Sequence, residues 1–376
     1  MVSVVHSYVL RGIEGHPVTV RAEVIDRSTD RKDRVHKGLH PETMVRVRYA
    51  MKTHGYRVPG NVMVAVEGTD LHDRTIGLDL PVAIAILRAT GQAPHVTGEN
   101  AYVGELSLSG AIRPVRGLYC MAQTAARSGF ALVSPAAPGV YPVSDLRRCA
   151  EGFAGEKVEG LYHPGPSPVD FADIRGSWES IIEALIEFAR TTRPVLLVGP
   201  PGCGKSMIAR RMVGLLPPPS RDELGSIALA LDAAGLRTDL HLPTERPFRA
   251  PHYTVSTQGI RGTRNAPGET ALAHLGVLLL DDLPNFSLSA TEPIREALRT
   301  GEVRSVGSVV YPARFRLICT SSPEWEGRAV KLIPELKDAI RIELTSQSIV
   351  PGSSPMPSTY ELRNTLRRTV PGWGAR

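Results

Sequence analysis

The chain has 376 residues, too many for one ordinary hydrophobic core, and implies two domains, each large enough to bury its own interior. Hydrophobic residues at 42% and charged residues at 22% exclude a disordered or fibrous chain, and no apolar run approaches the length of a membrane span. A net charge of +6 permits contact with nucleic acid without establishing it, and no RNP, zinc-finger or basic-zipper pattern accompanies it. Met1 to His6 lacks the basic region and apolar core of a signal peptide, so the cytoplasm is the expected compartment.

In chain order, Thr19 to Val24 alternates as a half-buried strand, and the basic stretch Arg27 to Lys37, interleaved with acids, reads as a solvated loop. Pro41 to Thr53 has helical apolar spacing and Asn61 to Glu67 reads as a strand. Leu80 to Thr90 is an apolar helix started near Pro81, and Gly117 to Ser128 is another, closed by Gly129. This first half is an α+β or α/β unit. The run Leu161 to Pro168 is proline-rich and cannot hold a helix, which places a domain boundary between 160 and 170. A second proline and serine cluster, Val350 to Ser358, sets off a short basic tail.

The second half carries the most specific signal. Gly199-Pro200-Pro201-Gly202-Cys203-Gly204-Lys205-Ser206 meets the phosphate-loop pattern G-x-x-x-x-G-K-[ST] at every fixed position. Arg193 to Val198 before it reads as a buried strand and Met207 to Val213 after it as a helix, the context such a loop requires. The glycines let backbone N–H groups converge on phosphate oxygens, Lys205 supplies a point charge to the β and γ phosphates, and the Ser206 hydroxyl is a ligand for Mg²⁺. Gly276 to Pro284 reads as a buried parallel strand ending in two acids, the Walker B arrangement, with Asp281 facing the metal and Asp282 the attacking water. Cys120, Cys149, Cys203 and Cys319 form no metal spacing and read as reduced, buried thiols. For Cys203 a small residue filling a variable loop position is the simplest reading, with a phosphate-loop thiol of lowered pKa as the alternative.

Arg11 to Val20, Gly77 to Ala83 and Gly104 to Gly110 resemble the N-terminal segments of the ComM/YifB family. Phe171 to Gly176, Arg246 to His252, Pro267 to Glu269 and Ala273 to Gly276 resemble the magnesium-chelatase-type AAA+ module of the same family, so that the likeness runs from about residue 5 to about residue 345. The resemblance implies an α/β fold: a P-loop AAA+ domain with a parallel sheet, preceded by a Lon-protease-like α+β domain. The expected boundaries are 1–160 for the N-terminal domain, 161–170 for a linker, 171–350 for the ATP-binding domain and 351–376 for a short tail without the full helical lid. It also implies ATP and Mg²⁺ as cofactors, DNA as a partner in recombination and transformation, and a hexameric ring, either of one chain or mixed with a paralogue; no membrane partner is implied.

Several positions depart from the family pattern. Proteolytic relatives of the N-terminal fold carry a Ser-Lys dyad; here the corresponding turn holds Asp79, and the later loop offers Arg113 and Arg116 without a lysine, so no amide-cleaving nucleophile is apparent. Asp282 replaces the Walker B glutamate and shortens it by one methylene; a misplacement of about 1 Å costs on the order of 10²-fold in rate. Ser322 occupies the asparagine position at the end of the sensor strand Phe315 to Pro323, and Ala339 the position of the arginine finger, whose loss removes roughly 10³ to 10⁵ in turnover. Arg341 lies about 7 Å further along an extended chain. Ile174 and Arg175 would by resemblance flank the adenine, with ordinary packing as the alternative. Arg249, His252 and His274 are positions the family uses near its insert, and are weighted here toward structural roles. Binding needs Gly199 to Ser206 and Asp281; hydrolysis needs Asp282, Ser322 and a neighbour's arginine. The expected function is therefore an ATP·Mg-binding AAA+ protein of the ComM type with weak or absent hydrolysis. The alternatives are a nucleotide-dependent scaffold that binds another protein and, lower, a magnesium-chelatase-like motor subunit.

Overall fold

The structure is a computed structural model that describes residues 2–24, 34–35, 39–69, 75–94, 99–162, 169–176, 179–236, 241–345, 354–370 and 373–374. Most of the basic stretch 27–37, the proline run 163–168 and residues 350–353 of the second proline cluster lie outside them. Contacts group residues 1–161 with 231–242 in one unit and residues 162–230 with 243–376 in another.

The first unit is built on a seven-stranded mixed sheet. Val2–Arg11 and Glu14–Val24 pair antiparallel over their whole length through a two-residue turn at Gly12, whose φ of 64° suits glycine. The strand expected from Thr19 begins at Glu14, and its hairpin partner Val2–Arg11 has no clear sequence signal because its buried and exposed residues stop alternating after Ser7. Val62–Glu67 extends the sheet antiparallel, while Asn100–Tyr102 and Ala131–Ser134 join as parallel strands. Helix Asp79–Ala89 is buried along all of its length, which explains why its sequence is apolar on every side rather than on one stripe. It packs against Val5, Val9, Val20 and Val64 of the sheet and against helix Thr43–Thr53. Leu118–Arg127 is a further helix, with its reversal at Gly129 in the left-handed region as the sequence required.

The second unit holds a five-stranded parallel sheet in the order Phe248–Arg249, Val277–Leu280, Arg316–Ser321, Val195–Val198, Ile340–Glu343. Its central strands are aliphatic on both faces because both are covered. Leu197, Leu279 and Ile318 face a cluster with Phe171, Phe188 and Ile208; Leu196, Leu278 and Cys319 face one with Phe286, Ile294 and Ile333. The segment after Ser358 forms a helix, Thr359–Thr369, opened by a capping box between Ser358 and Glu361 and anchored by buried Leu362 and Leu366. All four cysteines are free and buried.

Candidate functional site

The strand order decides how the site is assembled. The sensor strand Arg316–Ser321 lies between the strand that feeds the phosphate loop and the strand that ends in the two acids. Because all three run parallel, their C-terminal ends open on one side, the usual place for a ligand in such a sheet. Val198 is level with Ser321 and Leu280 with Cys319, so Asp281 emerges beside Thr320.

Residues 199–204 link strand Val195–Val198 to helix Lys205–Met212, and glycine is demanded at three places. Gly202 and Gly204 have φ of 80° and 92°, which L side chains avoid. A Cβ on Gly199 would meet the Leu344 carbonyl at 2.5 Å and the buried Cys203 sulfur at 2.6 Å, which makes Cys203 a packing residue of the loop. Pro200 and Pro201 form the turn between the glycines, where rigid φ angles limit the loop's freedom. Lys205, nine-tenths buried, donates from Nζ to the carbonyls of Gly199 at 2.7 Å and Pro200 at 2.9 Å. Its ammonium is thus held within the loop that would receive phosphate.

The Ser206 hydroxyl lies 2.7 and 2.9 Å from the two Asp281 carboxylate oxygens. The Thr320 hydroxyl donates to Asp281 Oδ1 at 2.7 Å and accepts from the Asp282 amide at 2.8 Å. Thr320 is fully buried and was not picked out from sequence; the only signal was a hydroxyl inside an otherwise aliphatic strand. Among the described residues no cationic side chain pairs with Asp281. A hydroxyl and a carboxylate, hard oxygen donors a hydrogen bond apart, suit Mg²⁺, which keeps most of its shell as water and phosphate oxygen. No cluster of three or more His, Cys, Asp or Glu able to hold a metal occurs among the described residues.

Asp282 differs from its neighbour in kind. It is exposed, and its backbone is left-handed with φ 57°, one of three non-glycine residues in that region among the described residues. Such a conformation costs of order 1 kcal/mol or more and is retained only where its surroundings impose it; here the Thr320 bond to its amide does so. Ser322 begins the turn after the sensor strand, partly buried. Ala339 precedes strand Ile340–Glu343. Arg341 forks onto Glu326 at 2.8 and 3.0 Å and also pairs with Glu343. That fork holds the Glu326 carboxyl below its ordinary pKa.

Ile174 is 1% exposed inside the cluster of Phe171, Leu344 and Met356, and its carbonyl accepts from the Met356 amide, whereas Arg175 is exposed and bridges to Pro355. Arg249 makes a two-pronged ion pair with Glu269 at 2.7 Å per prong, and His252 bonds Thr254 and stacks against Tyr253. His274 is buried and accepts from the Arg314 amide at 3.1 Å; burial, with Arg314 nearby, depresses its pKa to about 4. In the first unit Asp79 is fully buried, bonded by Arg46 at 2.5 and 3.2 Å and by the Leu106 amide at 3.1 Å.

A glycine loop between strand and helix, next to a carboxylate ending a parallel strand two places away, defines a P-loop AAA+ fold. Residues 170–342 match the family of magnesium chelatase, subunit ChlI, and residues 40–137 match subunit ChlI of Mg-chelatase. The YifB protein of Salmonella typhimurium is 32% identical over 89% of this chain and 71% of its own length. Competence protein ComM of Haemophilus influenzae is 30% identical over 76% of this chain and 61% of its own. Among solved structures, NtrX from Brucella abortus in complex with ADP aligns over 46% of this chain and 38% of its own at 18% identity, with a TM-score of 0.34. The chain belongs to the ComM/YifB family. Among the described residues no helix is long and apolar enough to cross a membrane.

Proposed function

We propose that this protein binds ATP with Mg²⁺ and hydrolyses it weakly or not at all. The observation that carries the reading is the trio Ser206, Asp281 and Thr320, which holds a carboxylate with hydroxyl donors beside the phosphate loop. Gly199 to Ser206 would cradle the phosphates, with backbone N–H groups and the positive end of helix Lys205–Met212 turned toward them. Lys205 would exchange its loop carbonyls for phosphate oxygens. Ser206 and Asp281 would hold Mg²⁺, whose charge would offset that of the β and γ phosphates.

The cutting side is argued to be weak from the same geometry. Asp282 is short and its main chain is tied to Thr320, which restricts how far its carboxylate can advance toward a water. Ser322 offers a hydroxyl where the family has an amide. Ala339 has no charge to give a neighbour, and Arg341 already has two carboxylate partners. Ile174 and Arg175 would flank the adenine in this reading, the buried Ile174 by apolar packing and the exposed Arg175 from the surface. The N-terminal unit corresponds in this reading to a Lon-protease-like domain, with Asp79 in place of a nucleophile. A cytoplasmic ring that acts on DNA follows from the likeness to ComM, either of one chain or mixed with an active paralogue that donates the arginine.

A second reading, a nucleotide-dependent scaffold for another protein, is favoured by Arg341, whose engagement with Glu326 and Glu343 ties up the arginine nearest the Ala339 position. Phosphate release measured with and without DNA separates the two. Release that rises with DNA supports the DNA-acting ring, and release at background under all conditions supports the scaffold. The triple variant D282E, S322N, A339R is expected to raise turnover by at least tenfold over the wild type; brisk wild-type turnover, left unchanged by the triple variant, contradicts the weakened cutting side.

A further inference from the structure

The nucleotide site stands at the C-terminal ends of the parallel strands. A separate cleft of about 550 Å³ opens at their N-terminal ends, lined by Thr192, Gly276 and Phe315, which precede the phosphate-loop, Walker B and sensor strands respectively. Its size falls within the range of small-molecule sites, roughly 300–1,000 Å³. No residue of the nucleotide site lines it.

Charge singles this cleft out. Four arginines, Arg190, Arg246, Arg314 and Arg316, face it with one carboxylate, Glu223. Arg246 is fixed as a strut: it donates to the Pro217 carbonyl at 2.6 Å, to the Leu275 carbonyl at 2.8 Å and to Glu223 at 3.1 and 3.2 Å. Glu223 is thereby already matched, and the Ser220 amide at 2.8 Å gives it a further donor. Arg316 donates to the Thr191 carbonyl, and both burial and neighbouring Arg246 work against its charge. Arg190 and Arg314 are exposed and have no carboxylate partner among the described residues. Three arginines without a carboxylate partner among the described residues therefore line one recess, a charge excess that favours an anion there.

Two further features mark a built site. Leu275, on the cleft wall, has φ 62°, a left-handed backbone that a leucine adopts only under constraint; the constraint is its amide on the Arg314 carbonyl at 2.5 Å and its carbonyl under Arg246. Trp373 lines the cleft, is nine-tenths buried, and its indole N–H has no acceptor among the described residues. With Phe315 and Leu298 it gives the recess an apolar wall beside the arginines.

We propose that this cleft is a second, regulatory site for an organic phosphate of nucleotide size. Arg190, Arg314 and Arg316 would hold the phosphate by charge-assisted bonds, and the Trp373 and Phe315 side would take the planar ring. Since the cleft abuts the starts of three central strands, an occupant would brace the same sheet that positions Lys205, Thr320 and Asp281.

The test uses the full chain carrying Lys205→Ala, which silences the phosphate loop, so that failure here and failure of the ATP reading are read separately. AMP and pyrophosphate are titrated by calorimetry at constant ionic strength. Saturable AMP binding, tighter than that of pyrophosphate, is expected, together with a weakening of tenfold or more when Arg190→Glu and Arg314→Glu are combined. Both side chains are exposed, and an unchanged thermal midpoint confirms that the double variant is folded. Trp373→Phe, which keeps a ring and removes the indole N–H, should retain AMP binding at reduced affinity. Absence of saturable AMP binding, an affinity unmoved by the double charge reversal, equal competition by sulfate, or preference for pyrophosphate over AMP overturns the proposal.

Discussion

Asp79 and Asp281 are the same side chain placed at comparable junctions, one opening a helix in the first unit and one ending a strand in the second, yet their surroundings differ. Asp79 is sealed from solvent and meets a guanidinium fork and a backbone amide. Burial raises its pKa and the Arg46 bond offsets that rise only in part, while the same bond raises the pKa of Arg46. Asp281 is half-buried and meets only hydroxyls. The first carboxylate is matched by a cation of the protein; the second is oriented by hydroxyls and has no cationic partner among the described residues. The partner chemistry, more than the degree of burial, separates a structural acid from one prepared for a cation.

That contrast is broken most sharply by removing each carboxylate in turn. Asp79→Ala leaves a buried guanidinium with only the exposed Glu42 at 3.0 Å as its acid partner and is expected to cost about 3 kcal/mol of stability, read by denaturant unfolding. Replacing both partners with apolar residues, Arg46→Met with Asp79→Leu, should recover most of that loss. Asp281→Ala should leave stability within about 1 kcal/mol while weakening Mg²⁺-dependent nucleotide binding. If Asp281→Ala unfolds the chain as readily as Asp79→Ala, the distinction between the two acids fails.

His274 gives a smaller test of the same idea, since it is a buried titratable group in the second unit that the nucleotide site does not use. Its folded pKa is depressed to about 4 from an ordinary 6.5, chiefly by burial. The unfolded chain therefore binds the proton first, and stability present above pH 6.5 is lost as pH falls toward 4, by up to about 3 kcal/mol. His274→Gln retains an acceptor for the Arg314 amide and should flatten that part of the stability profile; an unaltered profile would mean that another group titrates there. Smallest is Thr320→Val, an isosteric change that removes the bridge between Asp281 and the Asp282 amide. A loss of about 1–2 kcal/mol in nucleotide binding is expected, without change of fold by circular dichroism.

What was legible in the sequence is what the backbone itself dictates. Gly199, Gly202 and Gly204 are required by a close approach and by positive φ, so the phosphate loop declares itself in eight consecutive residues. The aliphatic run Val277–Leu280 likewise announces a strand covered on both faces. What escaped is non-local. Thr320 reaches Asp281 across 39 positions and Arg46 reaches Asp79 across 33, and neither spacing has a local signature. Ile174 reads equally well as an adenine contact or as packing, and its burial beside Met356, a residue 182 positions on, has no local signature. The second cleft draws its four arginines from three separate segments, so no motif gathers them.

The account turns on a triphosphate being gripped by the loop at Gly199 to Ser206. A calorimetric titration of Mg·ATP into the wild-type chain and into Lys205→Ala tests it most directly. Micromolar binding at one strong site that is abolished by the substitution is the predicted result, and the absence of heat with the wild type, or binding that the substitution leaves intact, contradicts it.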